Sequence, residues 1–315
     1  MKHLPYPENS REQAKPCPHP AMPLPLLPVI ITFCLVALPG MSRAETKRTG
    51  HHLVNTANRI AQRPSTPYRP TSPPPAVSGK SVIVLDPRTG DILHAKAPDT
   101  RRPIASIQKL LTALVVLDQG GLHSKIKVAV SDTQVEPTKI NIRANQSYRK
   151  SDLLAVLLVR SGNDVAHCLA RNHSGSQEGF ARAMNAKARS LGMNHSHFKN
   201  PHGLTRTGQY STARDVGILA IAAYRHNTIR SMTSIRKLPF RFADGKQATF
   251  SNTNKVLHRY SYCNGLKTGY TRASGKCLAS SAKKGTREVI VIILGSSSTN
   301  IWNDSQKLLA WGLGS

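Results

Sequence analysis

Acids are scarce in this chain: 16 Asp and Glu stand against 44 Lys and Arg, for a net charge of +28 at pH 7. Such an excess attracts polyanions. Aromatics are scarce too, at 5%, and no Lys/Arg-rich helix interleaves them, so the stacking surface expected of a nucleic-acid binder is missing. Anionic envelope polymers or lipid head groups are therefore the expected partners of the basic surface, not nucleic acid; a merely solvated basic face is the plain alternative. Metal-ligand spacing is lacking, because there is no C-x-x-C and the thirteen histidines show no ligand interval, so no metal is expected. Of the five cysteines, Cys17 and Cys34 fall in an N-terminal apolar stretch. The remaining three are odd in number and imply no complete disulfide framework. Cys263 and Cys277 stand where a hairpin could bring them face to face; spacing alone leaves their bonding open.

A long uninterrupted apolar run is also absent. The longest, residues 23–38, is broken by Pro23, Pro25 and Pro28 and is short for a membrane span. Lys2, Arg11 and Lys15 precede it, and Ser42 and Ala44 put small residues before a plausible cleavage point. Residues 1–44 read as a secretory signal, with an uncleaved N-terminal anchor as the alternative; either way the bulk of the protein is exported. Their removal takes away four Lys/Arg and two Asp/Glu and leaves +26.

What is present divides into a Pro-rich linker, 45–78, and a globular part, 79–315. "SVIVLD", the turn "PRTG" and "DILHA" predict a hairpin over 81–95. A buried helix is expected from Ser106 to Asp118, stopped by Gly120 and Gly121. A second helical stretch starts near Ser151, capped by Ser151 or Asp152, breaks at "RSGN" (160–163) and resumes. Further helices are expected over 177–191 and from "STARD" at 211–215. "LPFRF" and "QATFS" around "ADGK" predict another hairpin. Strands over 263–270, 276–282 and 288–294 and a closing helix over 301–312 complete the chain. This order predicts a sheet with strands from both chain ends, a helical insertion between them, and antiparallel C-terminal strands joined by short turns.

Three short motifs carry chemistry. Ser106 and Lys109 in "SIQK" are three residues apart at a helix start and share a face. Serine is a poor nucleophile until a base takes its proton, and lysine can be that base only when burial or a second cation keeps it neutral. In "RSGND", Ser161 and Asn163 sit at a break between helices and can project into a cleft, Ser161 relaying a proton and the Asn163 amide holding Lys109 and a substrate carbonyl. In "GLKTG", Lys267 and Thr268 on an edge strand can bind a carboxylate, Gly269 lets a substrate backbone approach, and the Tyr270 N–H can join that of Ser106 in an oxyanion hole. Each motif alone is weak; S-x-x-K, S-x-N and K-T-G in this order, on a helix start, an inter-helix break and an edge strand, are together specific.

These motifs, with "LDPRTGDIL", "FARAMNAKARSLGM", "FKNPHGLT" and "NGLKTGYTRASGKCLASSAK", resemble the D-alanyl-D-alanine carboxypeptidase family of low-molecular-mass penicillin-binding proteins over residues 80–312. The resemblance implies the α/β fold of serine DD-peptidases and β-lactamases, an antiparallel sheet flanked by helices with a helical subdomain. It implies no cofactor, peptidoglycan stem peptides as substrates and β-lactams as covalent inhibitors. By motif, Ser106 is the nucleophile, Lys109 its base, Ser161 and Asn163 the shuttle and holder, and Lys267 and Thr268 the carboxylate site. Gln108 departs from the family's usual Thr. DD-endopeptidase cleavage of cross-links shares the same chemistry and is the alternative. A class A β-lactamase is disfavoured, because no glutamate occurs between Glu178 and Glu288 to activate a deacylating water. A non-catalytic, basic wall-binding protein is disfavoured by the intact motif residues.

Overall fold

The structure, a computed structural model, describes residues 69–314. The signal and the linker up to residue 68 lie outside the described residues. The described end of the linker has partners: Ser72 O accepts a hydrogen bond from Trp311 Nε1 (2.8 Å), and Ser78 donates through its N–H and Oγ to Asp304 Oδ2 (2.9 and 2.6 Å).

The chain opens with the expected hairpin, β1 (Ser81–Leu85) and β2 (Ile92–Lys96). A single 3-10 turn, Ala105–Gln108, runs into α1 (Lys109–Asp118). A lobe not foreseen in detail follows: β3 (Lys125–Lys127), α2 (Val130–Thr133) and β4 (Ser147–Arg149). Then come α3 (Lys150–Arg160), α4 (Asn163–Ser174), α5 (Gln177–Ser190), α6 (Ala213–Arg225) and α7 (Asn227–Thr233). The second hairpin is β5 (Lys237–Arg241) and β6 (Gln247–Ser251), and a short α8 (Lys255–Arg259) leads to β7 (Cys263–Thr271), β8 (Gly275–Lys284), β9 (Arg287–Ser296) and α9 (Ile301–Leu313). One cap expectation fails: neither Ser151 nor Asp152 caps α3, which starts at Lys150 directly after β4 with no side-chain cap. Thr212 does cap α6, accepting from the Asp215 N–H.

The five-stranded antiparallel sheet has the order β2-β1-β9-β8-β7, so strands from both chain ends meet at its centre. The unbroken apolar runs of β1 and β9 follow from burial on both faces. Val82, Val84, Val289, Val291 and Ile293 pack with Leu308 and Leu309 of α9 on one side; Ile83, Leu85, Ile290, Ile292 and Leu294 join α1 and α6 on the other. Each such side chain, fully buried, contributes about 1.5–3 kcal/mol. The same alternation decides the cysteines. Cys263 pairs with Ala282 and Cys277 with Gly269, and the two thiols enter opposite cores. They do not face each other, and Cys168, Cys263 and Cys277 are free and buried.

Two consequences of this order build the site. β7 is an edge strand, and its far side meets the 3-10 turn at Ser106. The α3–α4 break lies beside the start of α1, because Ser161 ends α3 in the left-handed region (φ 71°) and turns the chain within two residues.

Candidate active site

Ser106 sits where the 3-10 turn opens, after Ala105, itself left-handed at φ 49°. Two non-glycine residues in that region, Ala105 and Ser161, mark local strain of about 1–2 kcal/mol each, held by the packing around them. One helical step on, Lys109 is fully buried, and its Nζ lies 2.8 Å from Ser106 Oγ, 2.8 Å from Asn163 Oδ1 and 2.6 Å from the carbonyl of His202. Burial first, and the nearby Lys267 second, hold the Lys109 amine well below the ordinary lysine range; Asp164 opposes them. Lys267, also fully buried, is lowered by burial to about 7.

For a neutral Lys109 the donor–acceptor inventory sets where the serine proton can go. A neutral amine has two N–H donors and one lone pair. The His202 carbonyl only accepts. Asn163 Oδ1 only accepts, and the amide cannot turn round, because its Nδ2 donates to the carbonyls of Glu136 and Pro137, both at 2.9 Å. In the structure Lys109 Nζ donates to Ser106 Oγ, whose hydroxyl reaches the His202 carbonyl at 3.2 Å; once the amine is neutral, both its hydrogens serve the two acceptors and its lone pair is left for Ser106 Oγ–H. The arrangement suits proton abstraction by a neutral lysine. It also corrects the expectation for Asn163: the amide holds Lys109, but its donors serve the 136–137 loop rather than a substrate carbonyl.

That loop is pinned from below. Asp164 is buried and accepts from the backbone N–H of Ile140, Asn141 and Ile142 at 2.8–3.2 Å. The His202 carbonyl is pinned as well. Gly203, at φ 90°, packs so close that a Cβ would lie 2.2 Å from Ala105 O. Thr112 Oγ1 donates to Pro201 O at 2.7 Å, and Gln108 Nε2 donates to Asn200 O. Gln108 thus does more than flank the machinery: it anchors the segment that presents the third partner of Lys109. Its Oε1 is buried without a partner. The His202 ring is lowered to about 3 by burial and by Lys109, so it stays neutral.

On the facing side, Lys267 Nζ donates to Thr268 O (3.1 Å), and Thr268 Oγ1 shares a 2.6 Å hydrogen bond with Thr253 Oγ1. The missing side chain of Gly269 serves the protein itself: a Cβ there would meet Ile104 O and Ser106 N, both at 2.9 Å. The space a side chain would take is filled by the turn that carries the nucleophile, while Gly269 also lines the cavity beside it. Tyr270 is 59% exposed, with Lys276 Nζ 4.1 Å from its ring centre.

Ser106, Ser161, Thr268, Gly269 and Tyr270 line one cavity of about 520 Å³. Of the eight motif residues, Ser106, Lys109 and Asn163 are in direct contact; Lys267 lies buried behind the wall that Thr268, Gly269 and Tyr270 form. The sequence reading missed the His202 carbonyl, since a backbone atom leaves no trace in residue identity; the Pro and Gly of "NPHG" were its only signal. It also missed the polar cluster beside α4, where buried Asp132 accepts from Arg171 and lies 3.0 Å from His167 Nδ1. Those two partners occupy positions i and i+4 of α4.

A buried lysine aimed at a serine, at the edge of an antiparallel sheet flanked by helices, defines a serine acyl-transfer enzyme of the penicillin-recognising fold. Comparison with known proteins gives the family: the D-alanyl-D-alanine carboxypeptidase profile matches residues 68–298, and the chain belongs to that family of serine peptidases. It is 33% identical over 228 residues to the D-alanyl-D-alanine carboxypeptidase DacF of Bacillus subtilis, covering 71% of this chain and 59% of that protein. Over 246 residues it is 34% identical to the D-alanyl-D-alanine endopeptidase of Escherichia coli, covering 76% and 79%. Among solved structures, a D-alanyl-D-alanine carboxypeptidase of Mycobacterium tuberculosis aligns with TM-score 0.73 at 31% identity, over 78% of this chain and 96% of that one. The Streptomyces K15 DD-transpeptidase aligns with TM-score 0.73 at 27% identity, over 76% and 99%.

Proposed function

We propose that this chain is an exported serine D-alanyl-D-alanine carboxypeptidase that removes the terminal D-alanine from peptidoglycan stem peptides. One observation carries the reading: the Lys109 amine, buried and held well below the ordinary lysine range, lies 2.8 Å from Ser106 Oγ, with Asn163 Oδ1 and the His202 carbonyl as its other partners. Lys109 takes the serine proton as Oγ attacks the carbonyl of the penultimate D-alanine. The N–H groups of Ser106 and Tyr270 hold the oxyanion, and Lys267 with Thr268 holds the terminal carboxylate. Ser161 hands the proton to the departing nitrogen, D-alanine leaves, and water then cleaves the ester. A β-lactam acylates the same serine. No helix among the described residues is long and apolar enough to cross a membrane. The basic surface suits anionic polymers of the envelope.

Two assays test this. Fluorescent penicillin labels the wild type and leaves Ser106→Ala unlabelled; equal labelling of both removes Ser106 as nucleophile. Isolated pentapeptide muropeptides release free D-alanine, and their survival unchanged sinks the carboxypeptidase reading. The penicilloyl adduct persists, and rapid turnover of penicillin would point to a β-lactamase.

A further inference from the structure

One end of the sheet carries a small cleft that the acyl-transfer chemistry does not use. Separate stretches of chain meet there: Lys80 just before β1, Arg102 on the segment leading to Ser106, Arg272 and Ser274 in the β7–β8 turn, and Gly295 and Ser296 at the end of β9. The cleft encloses about 210 Å³ and shares no lining residue with the cavity at Ser106. Its charged lining is Lys80, Arg102 and Arg272, with no Asp or Glu. None of the three forms an ion pair among the described residues, whereas other exposed cations do, as in Arg214–Asp99, Lys187–Asp118 and Lys283–Glu288.

The fold holds these cations in place. Arg102 exchanges backbone hydrogen bonds with Ser211 (2.8 and 3.0 Å), and its Nε donates to Oγ of the fully buried Ser81 at 2.8 Å. That bond orients the guanidinium, and its two Nη groups have no hydrogen-bond partner among the described residues. The Lys80 N–H donates to Leu294 O at 3.0 Å, and the Lys80 stem lies across Gly295, where a Cβ would come within 3.1–3.3 Å of it. Gly295 adopts φ 69° where the β8–β9 register shifts. Arg272 rides on a turn closed by buried Ser274, whose Oγ accepts from the Thr271 N–H (2.9 Å) while its own N–H donates to Thr271 Oγ1 (3.1 Å). One acid reaches this region through Ser78, whose Oγ lies 3.3 Å from Ser296 Oγ; that acid, Asp304, already accepts both Ser78 donors.

Like charges gathered without acids favour a bound anion. Size excludes a peptide, because about 210 Å³ lies below the range that houses drug-sized ligands. Two guanidiniums and an ammonium offer more N–H donors than the two oxygens of a carboxylate can accept. The spread oxygens of a phosphate ester suit cations arriving from different directions. The rim is polar: the exposed large apolar side chains among the described residues are Ile92, Val130 and Tyr270, and none lines the cleft. It therefore lacks the apolar face that lies in a lipid surface.

We propose that Lys80, Arg102 and Arg272 bind a phosphate ester carried by a hydrophilic polymer, holding the protein to that polymer while Ser106 works in a separate cavity. That the polymer belongs to the cell envelope rests on the reading of the chain as an exported enzyme; the chemistry of the cleft does not.

The test measures binding of poly(glycerol phosphate) to the full chain, with inorganic phosphate as competitor. Two double variants remove the same charge: Lys80→Gln with Arg272→Gln in the cleft, and Arg241→Gln with Lys246→Gln on the β5–β6 hairpin. All four positions are exposed, so folding is spared. Affinity falls about 10-fold in the cleft variant, the size expected of two partly solvated charge contacts, and stays within about twofold in the hairpin variant. Added salt weakens the wild type more than the cleft variant. Equal losses in both variants, no loss in either, or poly-glutamate bound as tightly as the phosphate polymer overturns the site. Vesicles of phosphatidylglycerol and phosphatidylcholine form the second arm. Vesicle binding that the cleft variant loses moves the phosphate to a lipid head group and overturns the polymer; vesicle binding equal in wild type and cleft variant supports it. Penicillin uptake reads the enzyme separately, since none of the changed residues lines its cavity. A wild type that binds the polymer and takes up no penicillin removes the acyl-transfer reading and leaves this site standing.

Discussion

Two groups of buried charge meet α4, one at Asn163 and the other at His167 and Arg171, and they are built on opposite rules. In the first, Asp132 is buried against Arg171 and His167. Burial alone would raise the Asp132 carboxyl, but hydrogen bonds from His167, Arg171 and the Ala129 N–H outweigh it and hold the group well below the usual carboxylate range. In the second, Lys109 and Lys267 are buried as two like groups, and both are pushed toward neutrality. A fold that satisfies a buried acid with a cation has solved a packing problem. Two buried lysines, both depressed by burial and Lys109 also by Lys267, solve no packing problem; they cost stability and suit a proposed base. The difference separates scaffold from chemistry more clearly than burial or residue type does.

The comparison breaks first at Lys109. Lys109→Met lowers the rate of penicillin acylation by about 10³-fold or more, the upper part of the range for a general base, and leaves the thermal midpoint unchanged or higher. Acylation that survives would make the lysine pair scaffold after all. A second break uses pH. Lys267 titrates near 7 folded and near 10.5 unfolded, so between those values the unfolded chain binds more protons and stability rises with pH. Below 7 both states are protonated and the cost stands at its full size. Urea unfolding of the wild type against Lys267→Met then differs by roughly 3 kcal/mol more at pH 7 than at pH 10; a difference independent of pH would show Lys267 charged throughout.

The other cluster gives the mirror result. Asp132→Ala lowers stability by about 2 kcal/mol, at the low end for a buried pair because Arg171 keeps 28% exposure, while acylation per folded molecule is unchanged. A loss of acylation in the folded variant would erase the distinction between the two groups. The smallest effect falls on their connection to the backbone. Gln108→Leu frees Asn200 and, through it, the His202 carbonyl, so Lys109 loses the fixed acceptor that aims its lone pair. Acylation slows about 10-fold and its pH profile shifts, while a variant that only loosens packing keeps the wild-type profile.

The fold was legible where residue type and spacing carry the signal. The apolar runs of β1 and β9, the turn at 87–90, the Gly120–Gly121 stop and the Thr212 start all lie where local chemistry puts them. Ser106, Lys109 and Asn163 were legible because acyl transfer needs those side chains in that order. What escaped depends on atoms or registers that no residue name encodes. The His202 carbonyl belongs to the backbone. The role of Gly269 is set by the turn that packs on it, 163 residues earlier in the chain. The cysteine pair failed on register: positions 263 and 277 flank one hairpin, yet alternation sends their thiols to opposite faces. Short helices such as α7 and α8, at 7 and 5 residues, are too brief to show a period.

One feature of the sheet governs the order in which its parts can join. β1 lies beside β9, with Ser81 opposite Leu294, so the first of the described strands waits for the last of them. A nascent chain lacking residues 287–296 holds its serine, its lysine and its two half-sheets without the seam that joins them. In such a precursor the β1–β2 and β7–β8 hairpins lack the strand that pairs with both.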